Sequence, residues 1–512
     1  MSEIVTVNIG SAGVNIAKDL WHQILSEHQA SPSVVKEYKS QEGVLPATMF
    51  CEGESGEYQP RGVVVDHDPF PINRFLKSPV GRGFRGTNQV VSGLCDCNDK
   101  FGNGYGGSPE SPQVFENTVD GIRHQLEKCD NPDSIVFIQS TVGGTGSGLS
   151  SKLLISEIDD DNKINNVCVS LLPSPNFSVN HIEHYNTCLW LHFYGNFANM
   201  GIMVDNQACF RYAKEFLGMK KCSYFDVNKI IAKLYSDLTC SFRFESNMKL
   251  SLSDFANELV PNKPLSSLYA SIVPVNEHFS NMDPQFPPSA NNISEKKKNL
   301  DFLNEIGSPK SEDFKEEFKD TSVFDSEYLD VKSAYNSRNQ LLCIEPIEKY
   351  NIGSACILRG SSNDLESVNH SLKNLLLDPS GREEEHLNYL MEKLMKDAQK
   401  RKRRMKKDFH YDVNNSKEDI YKFKSSEIMS LQVKENYEPE DHLFTISNNG
   451  AISSVLSMVE FRFNKMFIRR QFVPNFTDSK ISEMEMVEAR ETVEMMIEEY
   501  NKLTDLTSEI IE

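Results

Sequence analysis

The sequence predicts an α/β protein: a buried parallel sheet over residues 1–205, an α+β stretch over 206–442 and a helical pair over 443–512. Three observations carry this. Short β-branched runs alternate with helical stretches up to Val204, the pattern of βα units around a sheet covered on both faces. A turn with four glycines in six residues, GGTGSG at 143–148, joins a strand to a helix. Apolar residues recur at helical spacing near the C-terminus.

The elements follow in order. Residues 4–9, IVTVNI, are β-branched and extended, and Gly10 ends them. Val14, Ala17, Trp21, Ile24 and Leu25 then fall on one helical face. Further strands read at Gly62–Asp66, Ser134–Gln139, Val167–Leu172 and Gly201–Val204. Helices read at Asn206–Leu217 and Asp226–Tyr235. Residues 281–330 are rich in Pro, Ser and charge, with little apolar period, and read as a surface insertion. Strand character returns at Gly353–Gly360. Residues 383–440 read as a second insertion, with eight basic residues between Lys396 and Lys407. That run fits a solvated helical face; a docking patch for an acidic partner and a nuclear localisation signal are the sharper alternatives. Ile452, Val455, Leu456, Val459, Phe463, Met466 and Phe467 form one helical stripe, closed by Pro474. Met484, Val493, Met496, Ile497 and Tyr500 are the expected inward face of a second helix, which carries ten carboxylates from Glu483 onward.

Composition excludes several classes. The chain has 512 residues, 54 basic and 74 acidic side chains and a formal charge of −20. That balance argues against general nucleic-acid binding, which needs local Lys and Arg to neutralise phosphates. No apolar run is long enough to cross a membrane, and the N-terminus lacks a basic region and cleavage site for secretion. Of the eleven cysteines only Cys95 and Cys97 are close, at a spacing that fits no zinc site, so reduced thiols are expected.

The chemistry sits in Ser140–Gly148, STVGGTGSG. Its glycines let backbone amides approach a phosphate, Thr145 and Ser147 add hydroxyls, and the next helix directs its N-terminus at the same anion. No Lys follows the last glycine, so this is not the GxxxxGK[ST] phosphate loop; nor is it GxGxxG after the first strand. Elsewhere, Asp66 and Asp68 follow a strand, where two hard carboxylates can reach Mg²⁺ through its water shell. Asn206 and Asn228 have amides that can pair with guanine, Tyr224 lies one helical turn before Asn228 and can stack on a base, and Glu183 can accept from ribose hydroxyls.

GGTGSG in this setting resembles the signature loop of the tubulin family. The opening EIVTVNIGSAGVNIAKDLWHQILSEH, VVVDHDP, MVDNQACFRYAKEFLGMKKCSYFDVNKIIAKL, SDFANELVP and the closing EFRFNKMFIRRQF with EMEMVEARETVEMMIEEY are similar in the same order. Only 281–330 and 365–440 match poorly. The resemblance implies a tubulin-like fold that binds GTP with Mg²⁺. It implies that Gly10, Ser11, Ala12, Asn15, Asn98, Ser140, Gly143, Gly144, Thr145 and Gly146 surround the nucleotide. It implies Glu183 at the ribose, Asn206, Tyr224 and Asn228 at the base, and Asp66 and Asp68 at the metal. It implies that Asp254 acts in trans, orienting water on a neighbour's nucleotide. The implied partners are other tubulins or centriolar proteins in longitudinal contact, with no nucleic acid and no membrane.

Four departures mark the chain off from wall-forming tubulins. Ser11 replaces the usual glutamine, Val142 replaces the first loop glycine, the insertion near 281–330 replaces the lateral-contact region, and the chain stops at LTSEIIE without an acidic tail. QLEKCD, SYFDVN and CILRG look most like delta tubulin, with eta tubulin close behind. The expectation is a specialised cytoskeletal protein of cytoplasmic centrioles and basal bodies, with partner-stimulated GTP hydrolysis; the alternative is an alpha- or beta-like tubulin of the microtubule wall.

Overall fold

A computed structural model describes residues 2–28, 46–52, 58–84, 86, 88–107, 111–156, 164–177, 180–219, 221–244, 250–274, 339–344, 351–359, 428–433 and 442–511. The chain divides into one unit of Met1–Pro274 with Asp330–Glu512 and a second of Val275–Leu329. The second unit, the expected insertion at 281–330 and the basic run at 396–407 lie outside the described residues.

The elements are β1 (Glu3–Ile9), α1 (Gly10–Glu27), the hairpin β2 (Phe50–Glu52) and β3 (Tyr58–Pro60), β4 (Gly62–Asp66), α2 (Pro69–Leu76), β5 (Val90–Ser92), α3 (Phe101–Gly106), α4 (Val114–Leu126) and β6 (Pro132–Ser140). A π turn at Thr145–Leu149 leads into α5 (Ser150–Leu154), followed by β7 (Asn165–Leu172), α6 (Glu183–Phe197), β8 (Met200–Asp205), α7 (Asn206–Glu215), α8 (Tyr224–Arg243), α9 (Leu252–Leu259) and β9 (Ser267–Pro274). Then come β10 (Asn351–Arg359), β11 (Ile428–Val433), β12 (His442–Asn449), α10 (Ile452–Phe467), α11 (Val473–Thr477) and α12 (Glu483–Ile511).

The main sheet runs β11-β10-β12-β9-β8-β7-β6-β1-β4-β5. It is parallel from β5 to β9, and turns antiparallel at β9/β12 and β12/β10. Such a sheet needs both faces covered. On one face α1, α8 and α9 bury Trp21, Ile24, Val227, Ile231 and Phe255. On the other α4, α6, α10 and α12 bury Ile122, Trp190, Val459 and Val493. Each such large side chain contributes about 1.5–3 kcal/mol by leaving water.

Four sequence expectations are corrected. Met484 is 72% exposed, and Met486 takes the inward place, in register with Ala489, Val493, Met496 and Tyr500. The helix expected over Asp226–Tyr235 extends over Tyr224–Arg243, because a Ser223–Asp226 capping box fixes its start and the apolar period continues to Phe242. Pro474 does not close the preceding helix, which ends at Phe467; it occupies the first turn of α11, where its missing N–H costs nothing. Residues 428–433, read as part of an insertion, form an edge strand parallel to β10.

Buried ions bind the halves of this unit together. Glu27 at the end of α1 pairs with Arg243 of α8 at 2.7 Å, and Arg359 of β10 pairs with Asp237 of α8 at 2.6 Å. Removing one partner of such a pair costs more than the pair contributes, because a buried charge is left uncompensated.

Candidate nucleotide site

The parallel strands deliver their C-terminal ends to one edge of the sheet. There Gly10 opens α1 with φ +71°, and a Cβ on it would lie 3.0 Å from the amide nitrogen of Gly146. Only glycine permits this backbone and this approach. No side chain caps α1 and no acid sits in its first turn, so its free N–H groups face the loop. The loop itself turns at Gly143 and Gly144, then enters the π turn at Thr145. The sequence led us to expect an α-helix directly after the glycines; only Ser150–Leu154 is α-helical, and Ser147 and Ser150 hydroxyls bonded back to Gly143 and Gly146 carbonyls hold the wider turn.

Ser11 and Asp66 meet here: the Ser11 hydroxyl donates to Asp66 Oδ2 at 2.8 Å. Burial pushes the Asp66 carboxyl up to about 6, against the lowering effect of the Ser11 bond. Asp68 caps α2 by accepting from the Phe70 amide at 2.9 Å. Asn15 turns its amide back onto the Ser11 carbonyl, 2.7 Å away. Asn98 and Asp99 adopt left-handed backbone beside the loop, with φ 49° and 55°. Ser140 keeps its hydroxyl near the Val142 amide, at 3.4 Å.

Sequence reasoning missed Asn186. It is fully buried on α6, donates to the carbonyls of Val142 and Asp99 at 2.7 Å each, and accepts from the Phe101 amide at 3.3 Å. It therefore ties the glycine loop to the Asn98 turn. Its one signal was its place three residues after Glu183, on the same helix face. Glu183 is almost fully buried at the start of α6, where Oε2 accepts from the Asn180 amide at 3.4 Å and Oε1 lies 3.5 Å from His184.

At the side of the site, Asn206 begins α7 directly after Asp205, whose carboxylate caps that helix. Tyr224 begins α8 with its ring 58% exposed, and Phe210 of α7 meets that ring edge-on at 5.3 Å. Asn228, half-buried, lies one turn further along α8. Asn15 and Phe225 line one cleft, which places the start of α8 beside the start of α1.

The residues present fit a nucleotide with a magnesium ion. An uncapped helix start and an open glycine turn suit phosphates, and an exposed ring beside two amides suits a base. Among the described residues no three metal-ligating side chains converge. Two carboxylates suffice for Mg²⁺, which takes most of its ligands from phosphate and water.

Asp254 is not at this edge. Ser253 beside it donates to Asp133 at the start of β6 and accepts from Asn165 at the start of β7, at 2.8 and 2.7 Å. Asp254 itself accepts from the Ser251 amide and hydroxyl at 2.7 and 2.9 Å, closing a capping box on α9. From Asp133 to the glycine loop at Ser140 is the length of β6, roughly 23 Å at the rise of a strand.

Residues 3–214 match the Tubulin/FtsZ family, GTPase domain. That stretch is about two fifths of the chain, and over it the chain is similar to the tubulin GTPase domain. The chain is 24% identical to the tubulin alpha-6 chain of Naegleria pringsheimi over 504 residues, 98% of this chain and 96% of that protein. It is 30% identical to the tubulin alpha-1 chain of Saccharomyces cerevisiae over 54% of this chain and 62% of that protein. It is also 30% identical to the tubulin alpha chain of Entamoeba histolytica over 51% and 58%. The tubulin GTPase domain implies GTP as the nucleotide, and the expected fold, a parallel-sheet domain running into a mixed sheet and C-terminal helices, is the one observed. All eleven cysteines are free thiols; burial pushes Cys97, beside the loop, up to about 12, so it stays a neutral thiol. No helix among the described residues is long and apolar enough to cross a membrane.

Proposed function

We propose that this chain is a tubulin-family protein, a specialised cytoskeletal GTP-binding protein of the delta or eta type. Its place is the cytoplasmic centriole and basal body, and its nucleotide is completed by longitudinal contact with another tubulin or a centriolar protein. The observation that carries the reading is the separation of Asp254 from the glycine loop by the length of β6. An acid at one end of a subunit and a phosphate cradle at the other serve each other only between stacked copies. Asn206 and Asn228 select guanine, Tyr224 stacks on it, Glu183 holds the ribose, and Gly10, Ser11, Ala12, Asn15, Asn98, Ser140 and Gly143 to Gly146 hold the phosphates. Asp66 and Asp68 hold Mg²⁺ through water; the ion neutralises phosphate charge.

The test is GTP turnover per chain, measured over a concentration series with and without alpha/beta tubulin. A lone subunit lacks the acid that orients water, so the rate should rise with stacking. A rate independent of chain and partner concentration overturns the inter-subunit mechanism. Co-assembly into the wall at stoichiometric levels would instead favour an alpha- or beta-like role.

A further inference from the structure

The C-terminal layer carries an exposed face outside the nucleotide site. Phe461, Lys465 and Ile468, the residue that caps α10, follow at i, i+4 and i+7, so they share one side of that helix and its end. Phe461 is 63% exposed, Ile468 80% and Phe472 just beyond 40%. Residues 461–472 hold four cations and no acid, on a chain of charge −20.

This stretch is fixed in place. Arg470 and Phe472 take left-handed backbone, φ 52° and 60°, which bulky residues rarely adopt. Tyr185 donates to the Gln471 carbonyl at 2.8 Å, Phe472 stacks on His181, and Arg470 pairs with Glu483. The exposed side chains are thus presented by an ordered backbone, which lowers the entropy cost of docking.

The Arg470–Glu483 pair sets this stretch beside the start of α12, whose outer face has the opposite character. Glu485, Glu488, Glu491, Glu494 and Glu498 are exposed, and Met484 and Met495 stand among them at 72% and 45%. Acids interleaved with adaptable methionines suit a basic, aromatic counterpart.

We propose that the two faces are mates, and that a second copy of this chain docks through a two-fold contact. The basic, apolar side of α10 in each copy meets the acidic outer side of α12 in the other. A two-fold contact needs both surfaces in one layer of the molecule, and α10 packs directly on α12. The proposal does not rest on longitudinal stacking, because it uses neither Asp254 nor the glycine loop.

The experiment is sedimentation velocity of the full chain over a concentration series, at low and high salt. The expected result is a dimer that weakens with salt and forms equally with Asp254→Ala. Two charge-reversed variants extend it, one with Lys465→Glu and Arg469→Glu, the other with Glu488→Lys and Glu491→Lys. All four side chains are on the surface, so the fold is kept; circular dichroism checks it. Each variant alone should dimerise about tenfold more weakly or worse, since like charges then face each other. Mixed, they should recover the dimer, because both halves of the contact are complementary again. A chain that is monomeric throughout, a dimer indifferent to both variants, or a mixture that stays monomeric overturns the proposal.

Discussion

The side-chain amide of Asn186 donates to the carbonyl of Val142 at 2.7 Å, at the entrance to the glycine loop. The same amide holds Asp99. One buried residue thus sets the distance between the glycine loop and the Asn98 turn. Asn186→Ala leaves two carbonyls without this donor, at about 1–3 kcal/mol each where they stay dry. The expected outcome is a lower midpoint in urea together with weaker GTP binding. Unchanged GTP affinity in a destabilised variant would reduce Asn186 to a core residue.

Gly143 separates binding from folding. A Cβ on it would meet only Asp99 Oδ1, at 3.8 Å, so Gly143→Ala has room in the free protein. In the proposed cradle that space is taken by the nucleotide's phosphates. The variant should unfold within about 1 kcal/mol of the parent, yet bind GTP at least several-fold more weakly in calorimetry. Parental affinity would remove Gly143 from the cradle.

Much of the candidate site's placement was legible in the sequence because it is local. Gly10, Ser140–Gly146 and Asp66–Asp68 each lie at a strand's end, and a strand that ends in glycine or acid announces a turn at the sheet's edge. Position within helices was less legible. Met484 and Met486 are alike in type, and only the packing of α12 on α6 decides which one turns inward. Asn186 was invisible because its partners lie 44 and 87 residues away. The buried Glu27–Arg243 and Arg359–Asp237 pairs were hidden for the same reason. The π turn was hidden as well, since it depends on serine hydroxyls bonding back to loop carbonyls.

Acid should unfold the chain in stages. Burial holds His28 neutral, down at about 3, with Arg243 beside it adding to the effect. Burial likewise lowers His184 to about 4. Both bind a proton near 6.5 once unfolded, so their stabilising effect is complete above that pH and is lost as pH falls toward 4 and 3. Burial alone would raise Glu27, but Arg359 and Arg243 outweigh it and hold the carboxyl at about 2. Its contribution is present above the ordinary 4.5 and is lost as pH falls through 2. Unfolding free energy should therefore begin to fall below pH 6.5, by about 1.4 kcal/mol per pH unit for each such histidine. Urea titrations of His28→Phe, which keeps an aromatic ring against Phe50 and Phe244, should show a shallower slope between pH 6 and 4. An identical slope would mean that His28 gains no proton on unfolding.

Guanine selectivity tests the start of α8. Asn228→Ala removes an amide that can pair with both the carbonyl and the ring N–H of the base, at about 1–3 kcal/mol of affinity. GTP should weaken by that amount while ATP, bound poorly by the parent, changes little. Equal binding of GTP and ATP by the parent chain would contradict the assignment of Asn206, Tyr224 and Asn228.

Asp254 gives the sharpest separation. Oδ2 accepts from both the amide and the hydroxyl of Ser251, so the carboxylate has a structural duty whatever else it does. Losing that capping box costs about 1 kcal/mol of stability, and it should cost nothing in affinity for a GTP held at the glycine loop, at the other end of β6. A positioned acid or base contributes on the order of 10²–10⁴-fold in rate. Asp254→Asn keeps an oxygen that can accept from Ser251 but carries no charge to polarise water; Asp254→Ala keeps neither. If Asp254 acts in trans, both variants bind GTP normally and both lose partner-stimulated hydrolysis, leaving longer-lived assemblies. If it serves only the helix, Asp254→Ala is less stable, Asp254→Asn largely escapes, and both hydrolyse GTP in assemblies at the parental rate. Single-turnover hydrolysis in pelleted assemblies, read beside urea midpoints of the free chains, distinguishes the two outcomes.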